Sequence, residues 1–374
     1  MAGIYLHIPF CRQACHYCNF HFSTSLKLKN EFVDALLKEI RLQKNYLPAD
    51  PVNTIYFGGG TPSLLTIEEL STILQTLRSH FLVSPDAEVT LEANPDDINA
   101  QKLRDWKQAG INRLSIGVQS FFEDDLRWMN RAHTARQALD NLQLATTFFP
   151  NMTIDLIYGT PTLPDEKWQH NVQQAIALGI PHVSCYALTV EPGTALASMI
   201  NKHKTTDVNT EDQARQFLLL MDWMQEAGYE HYEISNFALP GMRSRHNSSY
   251  WQGTAYLGLG PSAHSFNGAS RQWNVSNNAL YIQSLKDDKL PFEIETLTDT
   301  QRLNEYIMTS LRTMEGLDVK LVATRFGEKA AGELQRGSKL FIEAGKIQWH
   351  NGHLQLTRQG KLFADGMAAE LFAP

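Results

Sequence analysis

The chain has 374 residues, a formal net charge of −7, 20% charged residues and 43% hydrophobic residues. This length lets it bury a large core and predicts more than one domain. The acidic balance, without a long basic run, excludes general affinity for nucleic acids. No stretch is apolar for long enough to span a bilayer, so we expect no transmembrane segment.

The first half of the chain alternates short apolar runs with longer amphipathic segments. Strands are predicted at residues 3–8, 54–58, 88–93, 113–118, 153–157 and 182–188. Helices are predicted between them at residues 29–44, 66–80, 100–108, 134–146 and 165–178. Thr66 and Glu69 have the spacing of a capping box at the start of one helix. Strands that alternate with helices indicate a parallel sheet.

The pattern changes after residue 188. A helix is predicted at 210–227 and a strand at 231–234, and the aromatic segment from 237 to about 274 is expected to be irregular. Helices are then predicted at 298–314, 319–326 and 329–344, followed by a hairpin of 346–350 and 353–356 and a helix at 358–372. Asn351 and Gly352 join the hairpin strands, and this pair favours a type I′ turn.

Three cysteines, Cys11, Cys15 and Cys18, lie in one short segment after the first predicted strand. Their C-x3-C-x2-C spacing puts three thiolates close enough to bind one inorganic centre. A [4Fe–4S] cluster is normally held by four cysteines, so a set of three leaves one iron with an exchangeable ligand. The next candidate position, two residues beyond Cys18, is occupied by Phe20. The spacing therefore predicts a cluster that takes part in chemistry rather than only in electron transfer.

Two other interpretations of the cysteines stay open. Structural zinc would need a fourth ligand, for which His16 and His21 are the candidates. A disulfide would need an oxidising compartment. The chain has no recognisable signal peptide, and its one other cysteine, Cys185, lies in a predicted buried strand. This usage predicts a cytoplasmic protein, and we interpret Cys185 as a core residue.

Further motifs accompany the cysteines in chain order. They are Gly-Gly-Gly-Thr-Pro at 58–62, Leu-Glu-Ala-Asn-Pro at 91–95, Ser-Ile-Gly-Val-Gln-Ser-Phe at 115–121 and Asp-Leu-Ile-Tyr-Gly-Thr-Pro at 155–161. Together with the cysteines they resemble the radical S-adenosylmethionine (SAM) superfamily, in which the open iron binds the amino and carboxylate groups of SAM. Within it, the chain resembles the subfamily that includes oxygen-independent coproporphyrinogen III oxidases (dehydrogenases) and HemW-type haem chaperones.

This resemblance implies an α/β fold, the partial, TIM-like (βα)6 barrel of radical SAM proteins. It also implies a small C-terminal helical, winged-helix-like domain. We predict the barrel at residues 1–235, an aromatic connecting segment with the candidate haem motif at 236–297, and the C-terminal domain at 298–374. Winged-helix modules can bind DNA, but no basic recognition surface is evident here. We therefore interpret the C-terminal domain as a lid or packing domain.

Residues that follow the predicted strands supply the candidate SAM site, as the C-terminal ends of strands do in barrel enzymes. By resemblance, the residues that contact SAM are Tyr5, Gly59, Gly60, Thr61, Glu92, Gln119, Arg131 and Asp155. The glycines let a ligand approach the backbone closely, although the alternative is an ordinary turn. Carboxylates beside apolar strands need an ion-pair partner or a ligand. Arg127 and Arg136 flank Arg131, and the alternative is that Arg131 lies on a solvated helix face and contacts no ligand.

Residues 245–251, Arg-His-Asn-Ser-Ser-Tyr-Trp, match the H-N-x-x-Y-W motif associated with HemW-type haem chaperones. The imidazole of His246 can ligate haem iron axially. Tyr250 and Trp251 offer flat aromatic faces to a porphyrin. The alternative is that these side chains only lock a loop onto the barrel, since aromatic pairs usually belong to a core.

Other residues near this motif are secondary candidates. Arg243 or Arg245 can pair with haem propionates. His264 is a second candidate iron ligand, although its glycine- and proline-rich surroundings favour a tight turn near the SAM site.

We therefore expect a cytoplasmic haem chaperone that binds a [4Fe–4S] cluster, SAM and haem. It would deliver haem to acceptor haemoproteins, with membrane respiratory proteins as candidates, and the resemblance is compatible with a homodimer. The alternative is an enzyme, a coproporphyrinogen III dehydrogenase that decarboxylates two propionates with the deoxyadenosyl radical. Phe20 and residues 245–251 favour the chaperone. A radical SAM enzyme that modifies RNA is disfavoured, because no basic surface is evident.

Overall fold

The computed structural model describes residues 2–48 and 50–374. The chain forms two compact units. The first consists of Met1–Gln216 and Thr254–Glu295, and the second of Phe217–Gly253 and Thr296–Pro374. The predicted domain boundaries at residues 235 and 297 stay a prediction. In the part of the chain that the structure describes, no helix is long and apolar enough to cross a bilayer.

Six parallel strands of the first unit form the frame of the site, as predicted. They are β1 (Ala2–Ile8), β2 (Val52–Gly59), β3 (Val83–Ala93), β4 (Arg113–Gln119), β5 (Met152–Tyr158) and β6 (His182–Ala187). Each strand pairs in parallel with the next one along the chain. Cys185 is buried in β6, which confirms its assignment to the core.

Helices connect these strands, and two more follow β6. They are α1 (Lys29–Leu42), α2 (Ile67–His80), α3 (Ala100–Ala109), α4 (Glu123–Trp128), α5 (Ala135–Phe148), α6 (Asp165–Ala177), α7 (Ala195–Asn201) and α8 (Thr210–Glu226). The capping box at α2 is confirmed, because Thr66 Oγ1 accepts from Glu69 N at 3.2 Å and Glu69 Oε2 accepts from Thr66 N at 2.7 Å. The short helices α4 and α7 are not among the predicted elements.

The prediction that residues 237 to about 274 are irregular is wrong. From residue 230 onward the elements are β7 (Glu230–Glu233), β8 (Asn236–Ala238), α9 (Arg245–Trp251), β9 (Ala255–Leu259), β10 (His264–Phe266), β11 (Ser270–Asn274), α10 (Asn278–Lys286) and β12 (Phe292–Thr296). Strand β9 pairs in parallel with β1, so the sheet of the first unit has the order β12-β11-β10-β9-β1-β2-β3-β4-β5-β6. Because β9 is short and its partner is distant in sequence, local patterns do not reveal it.

A buried carboxylate holds this late segment against α1. Glu39 on α1 accepts hydrogen bonds from Gly260 N at 2.8 Å, Asn274 Nδ2 at 2.6 Å and Tyr281 Oη at 2.6 Å. Burial raises the pKa of Glu39 to about 7, and the three donors oppose that rise. Three hydrogen bonds to one buried acid account for the docking of a segment with little local pattern.

The second unit has a small core of its own. After β12 come α11 (Asp299–Leu311), β13 (Leu317–Asp318), α12 (Val319–Phe326), α13 (Glu328–Glu343), β14 (Ile347–His350), β15 (His353–Leu356) and α14 (Ala364–Glu370). The three strands form a sheet of order β13-β15-β14. Asn351 and Gly352 have φ of 50° and 85°, as the predicted type I′ turn requires. The predicted hairpin and the helices predicted at 298–314, 319–326 and 329–344 are confirmed, whereas the helix predicted at 358–372 is a 3-10 turn at Gly360–Phe363 followed by the shorter α14.

Candidate functional site

One face of β3 to β6 carries polar side chains that are almost completely buried. These are Glu88, Thr90, Arg113, Ser115, Thr153, His182 and Ser184. Alternate residues of the same strands are apolar and buried, as in Leu91, Ile116 and Ile154. A barrel interior is usually filled by branched apolar side chains. Burying polar groups without partners costs free energy, so these side chains are expected to form hydrogen bonds with one another or with a ligand.

The cysteine loop connects β1 to α1. Cys11 N donates to Ser23 O at 3.0 Å and Cys18 N donates to Cys15 O at 3.3 Å. Burial, together with the neighbouring thiols of Cys18 and Cys15, raises the pKa of Cys11 to about 11. Three thiolates on one short loop repel one another unless a cation binds them. This donor set therefore fits an iron–sulfur cluster, which supplies that positive charge.

The glycine loop at the end of β2 (Gly58–Gly60) lies directly against β1, the strand that precedes the cysteine loop. Gly60 N donates to Ile8 O at 2.9 Å, and a Cβ at Gly60 would lie 2.7 Å from the same oxygen. Gly59 has φ of 101°, and a Cβ there would lie 2.6 Å from the His7 ring. Only glycine fits at these two positions, because β1 and the residues that follow it pack where a side chain would lie.

Arg131 links the cysteine loop to two neighbouring strands. Its Nη1 donates to Cys15 Sγ at 3.2 Å, and its Nη2 donates to Asn94 Oδ1 at 2.8 Å and to Gly117 O at 2.7 Å. Asn94 in turn donates to Thr61 Oγ1 at 3.2 Å. The buried Nε of Arg131 has no hydrogen-bond partner among residues 2–48 and 50–374. A guanidinium thus lies against Cys15 Sγ, and one of its donors is left for a ligand.

The two arginines that flank Arg131 are placed differently. Arg127 and Arg136 have side chains 76% and 80% exposed, and each forms an ion pair within its own helix, with Glu123 and Asp140 respectively. Arg127 and Arg136 thus lie on solvated helix faces, which was the alternative considered for Arg131.

Glu92 lies at the end of β3 beside the glycine loop. Its Oε1 accepts from Tyr56 Oη at 2.8 Å and its Oε2 accepts from Gly59 N at 3.2 Å. Burial raises the pKa of Glu92 to about 7, and the charge of Asp155 adds to the rise. The side chain keeps some accessible surface. A carboxyl group in this position can bind a cationic or hydroxyl group of a ligand.

Asp155 on β5 is the second carboxyl group of this interior. Burial raises its pKa to about 6, whereas a hydrogen bond from Ser184 and the charges of Arg113 and Arg131 oppose the rise. Like Glu92, it is only partly buried. Two acids with part of their surface accessible are typical of a site that receives a cation.

Tyr5 and Gln119 complete the predicted set in the first unit. The Tyr5 hydroxyl is hydrogen-bonded to His7 Nδ1 at 3.2 Å, and its ring stacks on Tyr56 with centroids 6.1 Å apart. Gln119 ends β4 with φ of 73°, a left-handed backbone that non-glycine residues rarely adopt. Such strain often occurs at binding sites.

The sequence analysis missed two residues of this region. Asn94, which bridges Arg131 and Thr61, lies inside the motif at 91–95. Arg113 is completely buried at the start of β4. The sequence did contain a signal for each: Asn94 is a polar residue directly after β3, and Arg113 is a charged residue at the start of an apolar strand.

The candidate haem residues lie in the second unit, on helix α9. His246 is 1% exposed, its Nε2 lies 2.9 Å from Tyr250 Oη, and the two rings meet edge to face with centroids 5.0 Å apart. The Arg312 guanidinium lies 5.4 Å from the Trp251 ring centroid. The buried Trp251 Nε1 has no hydrogen-bond partner in the described part of the chain. The Nε2 atom of His246 is therefore already engaged by Tyr250.

Two secondary haem candidates have other contacts. Arg243 forms ion pairs with Glu230 at 3.0 Å and Glu315 at 2.7 Å. His264 lies in the first unit, on β10, where its ring stacks on Trp273 with centroids 6.1 Å apart. His264 is exposed, so its ring is accessible to a ligand.

Comparisons with protein families and with individual known proteins point to the same family. The family model described as "Radical SAM superfamily" matches residues 5–175, and "HemN C-terminal domain" matches residues 297–363. A Mycobacterium tuberculosis protein named "Heme chaperone HemW" is 36% identical over 375 residues, which cover 99% of this chain and 94% of the relative. The Bacillus subtilis protein of that name is 33% identical over 371 residues, 98% of this chain and 97% of the relative. The one from Escherichia coli is 38% identical over 268 residues, 70% and 69%.

A solved structure shows the same fold. It is described as "Coproporphyrinogen III oxidase (HemN) from Escherichia coli is a Radical SAM enzyme". It matches with a TM-score of 0.86 and 23% sequence identity, and the matched region covers 100% of this chain and 90% of the chain in that structure. The expected radical SAM α/β fold is therefore confirmed. Since relatives that share one name match over most of their length, this chain belongs to the HemW family of the radical SAM superfamily.

Proposed function

We propose that this protein is a cytoplasmic haem chaperone that binds a [4Fe–4S] cluster, SAM and haem and delivers haem to acceptor haemoproteins. The observation that carries the proposal is the close association of three thiols, a glycine loop and Arg131 in a chain whose relatives are named "Heme chaperone HemW".

Cys11, Cys15 and Cys18 would hold the cluster. A [4Fe–4S] cluster bound by three cysteines supplies an iron at which the amino and carboxylate groups of SAM can bind. The contact of Arg131 with Cys15 Sγ supports this assignment, because a guanidinium stabilises the thiolate that binds metal.

Glu92, Asp155 and the glycine loop would bind SAM itself. SAM carries a cationic sulfonium and an amino group that donates hydrogen bonds, and the two carboxyl groups offer the opposite charge and hydrogen-bond acceptors. The glycines support the site indirectly, because they let the loop after β2 pack closely against His7 and Ile8. Tyr5, Thr61 and Gln119 would contact its remaining polar groups.

His246, Tyr250 and Trp251 would form the haem site. For His246 Nε2 to bind iron, it has to release the Tyr250 hydroxyl, which lies 2.9 Å away. Tyr250 and Trp251 are then available to pack against the porphyrin. Haem binding is thus proposed to be coupled to a local change in or around α9.

The second candidate is an oxygen-independent coproporphyrinogen III oxidase, and the similarity of the fold to such an enzyme favours it. Against it stands Phe20, which occupies the position of the fourth cysteine in those enzymes. Its side chain is 67% exposed and contributes no ligand.

One experiment separates the two candidates. The protein is reconstituted anaerobically with iron and sulfide, titrated with haem, and mixed with a haem-free acceptor haemoprotein. A second sample receives coproporphyrinogen III, SAM and a reductant. We expect a Soret band that saturates near one haem per chain, transfer of haem to the acceptor, and no porphyrin product. Formation of protoporphyrinogen IX would instead identify an enzyme.

A further inference from the structure

The turn that follows α4 lies against the cysteine loop and bonds to it at several residues. His16 is held by two carbonyl groups of this turn: its N donates to Met129 O at 3.1 Å, and its Nδ1 donates to Trp128 O at 2.9 Å. At the end of the turn, Arg131 Nη1 donates to Cys15 Sγ at 3.2 Å. The proposed function uses the contact of Arg131 but gives the rest of the turn no role.

Asn130 lies in the middle of this turn, and both ends of its side-chain amide reach the cysteine loop. Its Nδ2 donates to Ala14 O at 2.7 Å, and its Oδ1 accepts from Gln13 Nε2 at 2.9 Å. The same Gln13 nitrogen donates to Asn130 O at 2.9 Å. Gln13 and Ala14 lie between Cys11 and Cys15 in the sequence. One side chain thus fixes the segment that separates two of the proposed cluster ligands.

The end of α4 explains the backbone of Asn130 but not its side-chain contacts. Asn130 has φ of 57°, its N donates to Arg127 O at 3.1 Å, and Arg131 N donates to Leu126 O at 2.8 Å. These two bonds form a Schellman motif, in which the left-handed residue is usually glycine and sometimes asparagine. Glycine would therefore end the helix equally well. Of the two, only asparagine supplies a donor and an acceptor for the cysteine loop.

A second anchor of the cysteine loop is weaker. Arg12 Nη2 lies 2.8 Å from Asp97 Oδ1, and the Arg12 side chain is 53% exposed. Exposed ion pairs contribute little to stability. Asp97 also accepts from Ser63 Oγ at 2.8 Å and pairs with Lys102 Nζ at 3.7 Å, so it keeps partners without Arg12. The shape of the loop therefore depends more on Asn130 than on Arg12.

We propose that Asn130 is a positioning residue that holds the cysteine loop in its cluster-binding shape before iron binds. The inference rests on the proposed function, in which Cys11, Cys15 and Cys18 bind the cluster. Ligands on a disordered loop have to be ordered when the metal binds, which costs conformational entropy. A loop that is already ordered avoids this cost, so the cluster binds more tightly and is released more slowly.

The first test measures how fast the cluster is lost to an excess of an iron chelator after anaerobic reconstitution. Asn130→Gly removes both side-chain bonds and keeps the left-handed backbone. We expect it to lose the cluster about tenfold faster than the parent, because two hydrogen bonds no longer oppose opening of the loop. The matched control is Asn351→Gly, the same substitution at a left-handed asparagine (φ 50°) of the second unit, which should behave like the parent. Equal rates in Asn130→Gly and the parent would overturn the proposal.

Two further variants rank the anchors by the same measurement. Asn130→Asp keeps the shape and the acceptor for Gln13 but loses the donor to Ala14 O, so we expect a loss about fivefold faster than in the parent. Arg12→Gln removes the exposed ion pair and should change the rate by less than about twofold. If Arg12→Gln has a larger effect than both Asn130 variants, the ion pair holds the loop and the proposal fails.

A third measurement needs no cluster. Amide hydrogen exchange in the cluster-free protein is followed by nuclear magnetic resonance at two residues of the loop. The His16 amide is bonded to Met129 O in the turn, whereas the Cys11 amide is bonded to Ser23 O outside it. In Asn130→Gly we expect exchange about tenfold faster at His16 and no change at Cys11.

The exchange data also separate this role from a structural one. Because glycine suits the end of α4, the thermal unfolding midpoint of Asn130→Gly should equal that of the parent. If the midpoint falls and both amides exchange faster, Asn130 acts on the fold and the proposal fails, as it does if exchange at His16 is unchanged. If exchange changes as expected but the parent takes up no cluster, the proposed function fails while the hold of Asn130 on the loop stands.

Discussion

The cysteine loop of the first unit and helix α9 of the second differ in how far their candidate ligands are already engaged. Cys11, Cys15 and Cys18 are partly exposed free thiols. His246 is almost fully buried, and its Nε2 lies within hydrogen-bond distance of Tyr250 Oη. A cysteine sulfur that binds a cluster can keep a hydrogen bond such as the one from Arg131 Nη1 to Cys15 Sγ, whereas iron at His246 Nε2 has to displace the Tyr250 hydroxyl.

The difference follows from the elements that carry the two sites. The cysteines lie on the loop between β1 and α1, where Cys11 N donates to Ser23 O at 3.0 Å. His246 and Tyr250 stand four residues apart on a helix, where side chains of this spacing meet. The motif thus creates the hydrogen bond that competes with iron. The spacing of a motif identifies which side chains can act as ligands. Whether such a side chain is free to bind depends on the residues that surround it.

The largest expected effect tests the cysteine loop. Cys15→Ala should reduce cluster content from about four iron atoms per chain to background. The matched control is Cys185→Ala, which removes a buried thiol of β6 and should keep the full cluster. Iron and sulfide are measured after anaerobic reconstitution. Stoichiometric zinc in protein purified without oxygen, or a full cluster in Cys15→Ala, would contradict the assignment.

The next effect tests the helix. His246→Ala removes the proposed iron ligand and should abolish the Soret band of bound haem, while iron and sulfide content persist because the cysteines lie in the other unit. The control is His264→Ala, which should bind haem like the parent. Loss of the band in His264→Ala alone would move the ligand to β10.

A smaller effect tests whether the carboxyl groups bind a cation. Burial raises the pKa of Glu92 to about 7 and that of Asp155 to about 6. Both are protonated and neutral at lower pH, so SAM affinity should rise as the pH increases through these values. Glu92→Gln should flatten the upper part of this profile and weaken binding about tenfold, as expected for a hydrogen bond to a charged group. Equilibrium dialysis of reconstituted protein measures both, and an unchanged profile would make Glu92 structural.

The smallest effect sharpens the comparison of the two regions. Tyr250→Phe removes the hydroxyl that holds His246 Nε2 but keeps the aromatic face. One hydrogen bond contributes about 1 kcal/mol, so haem affinity should increase about fivefold. A haem titration followed at the Soret band provides the measurement. Weaker binding in Tyr250→Phe would show that the hydroxyl helps to hold haem rather than competing with it.

Much of the first unit could be predicted because its signals are local. The strands carry apolar alternation, Thr66 and Glu69 mark the start of α2, and the cysteine spacing indicates its cofactor directly. Strand β9 could not be predicted, since it is stabilised by β1 and lies far from it in sequence. The same holds for Glu39, whose three donors all come from the late segment of the unit.

The sequence by itself determined the α/β class, the cysteine loop and the residue types of both candidate sites, because spacing and periodicity are properties of short segments. Only the tertiary structure decided which side chains meet. It brought Arg131 rather than Arg127 to Cys15 and left Arg113 buried without hydrogen-bond partners among the described residues. These outcomes depend on strand register and burial, which arise from contacts between distant parts of the chain.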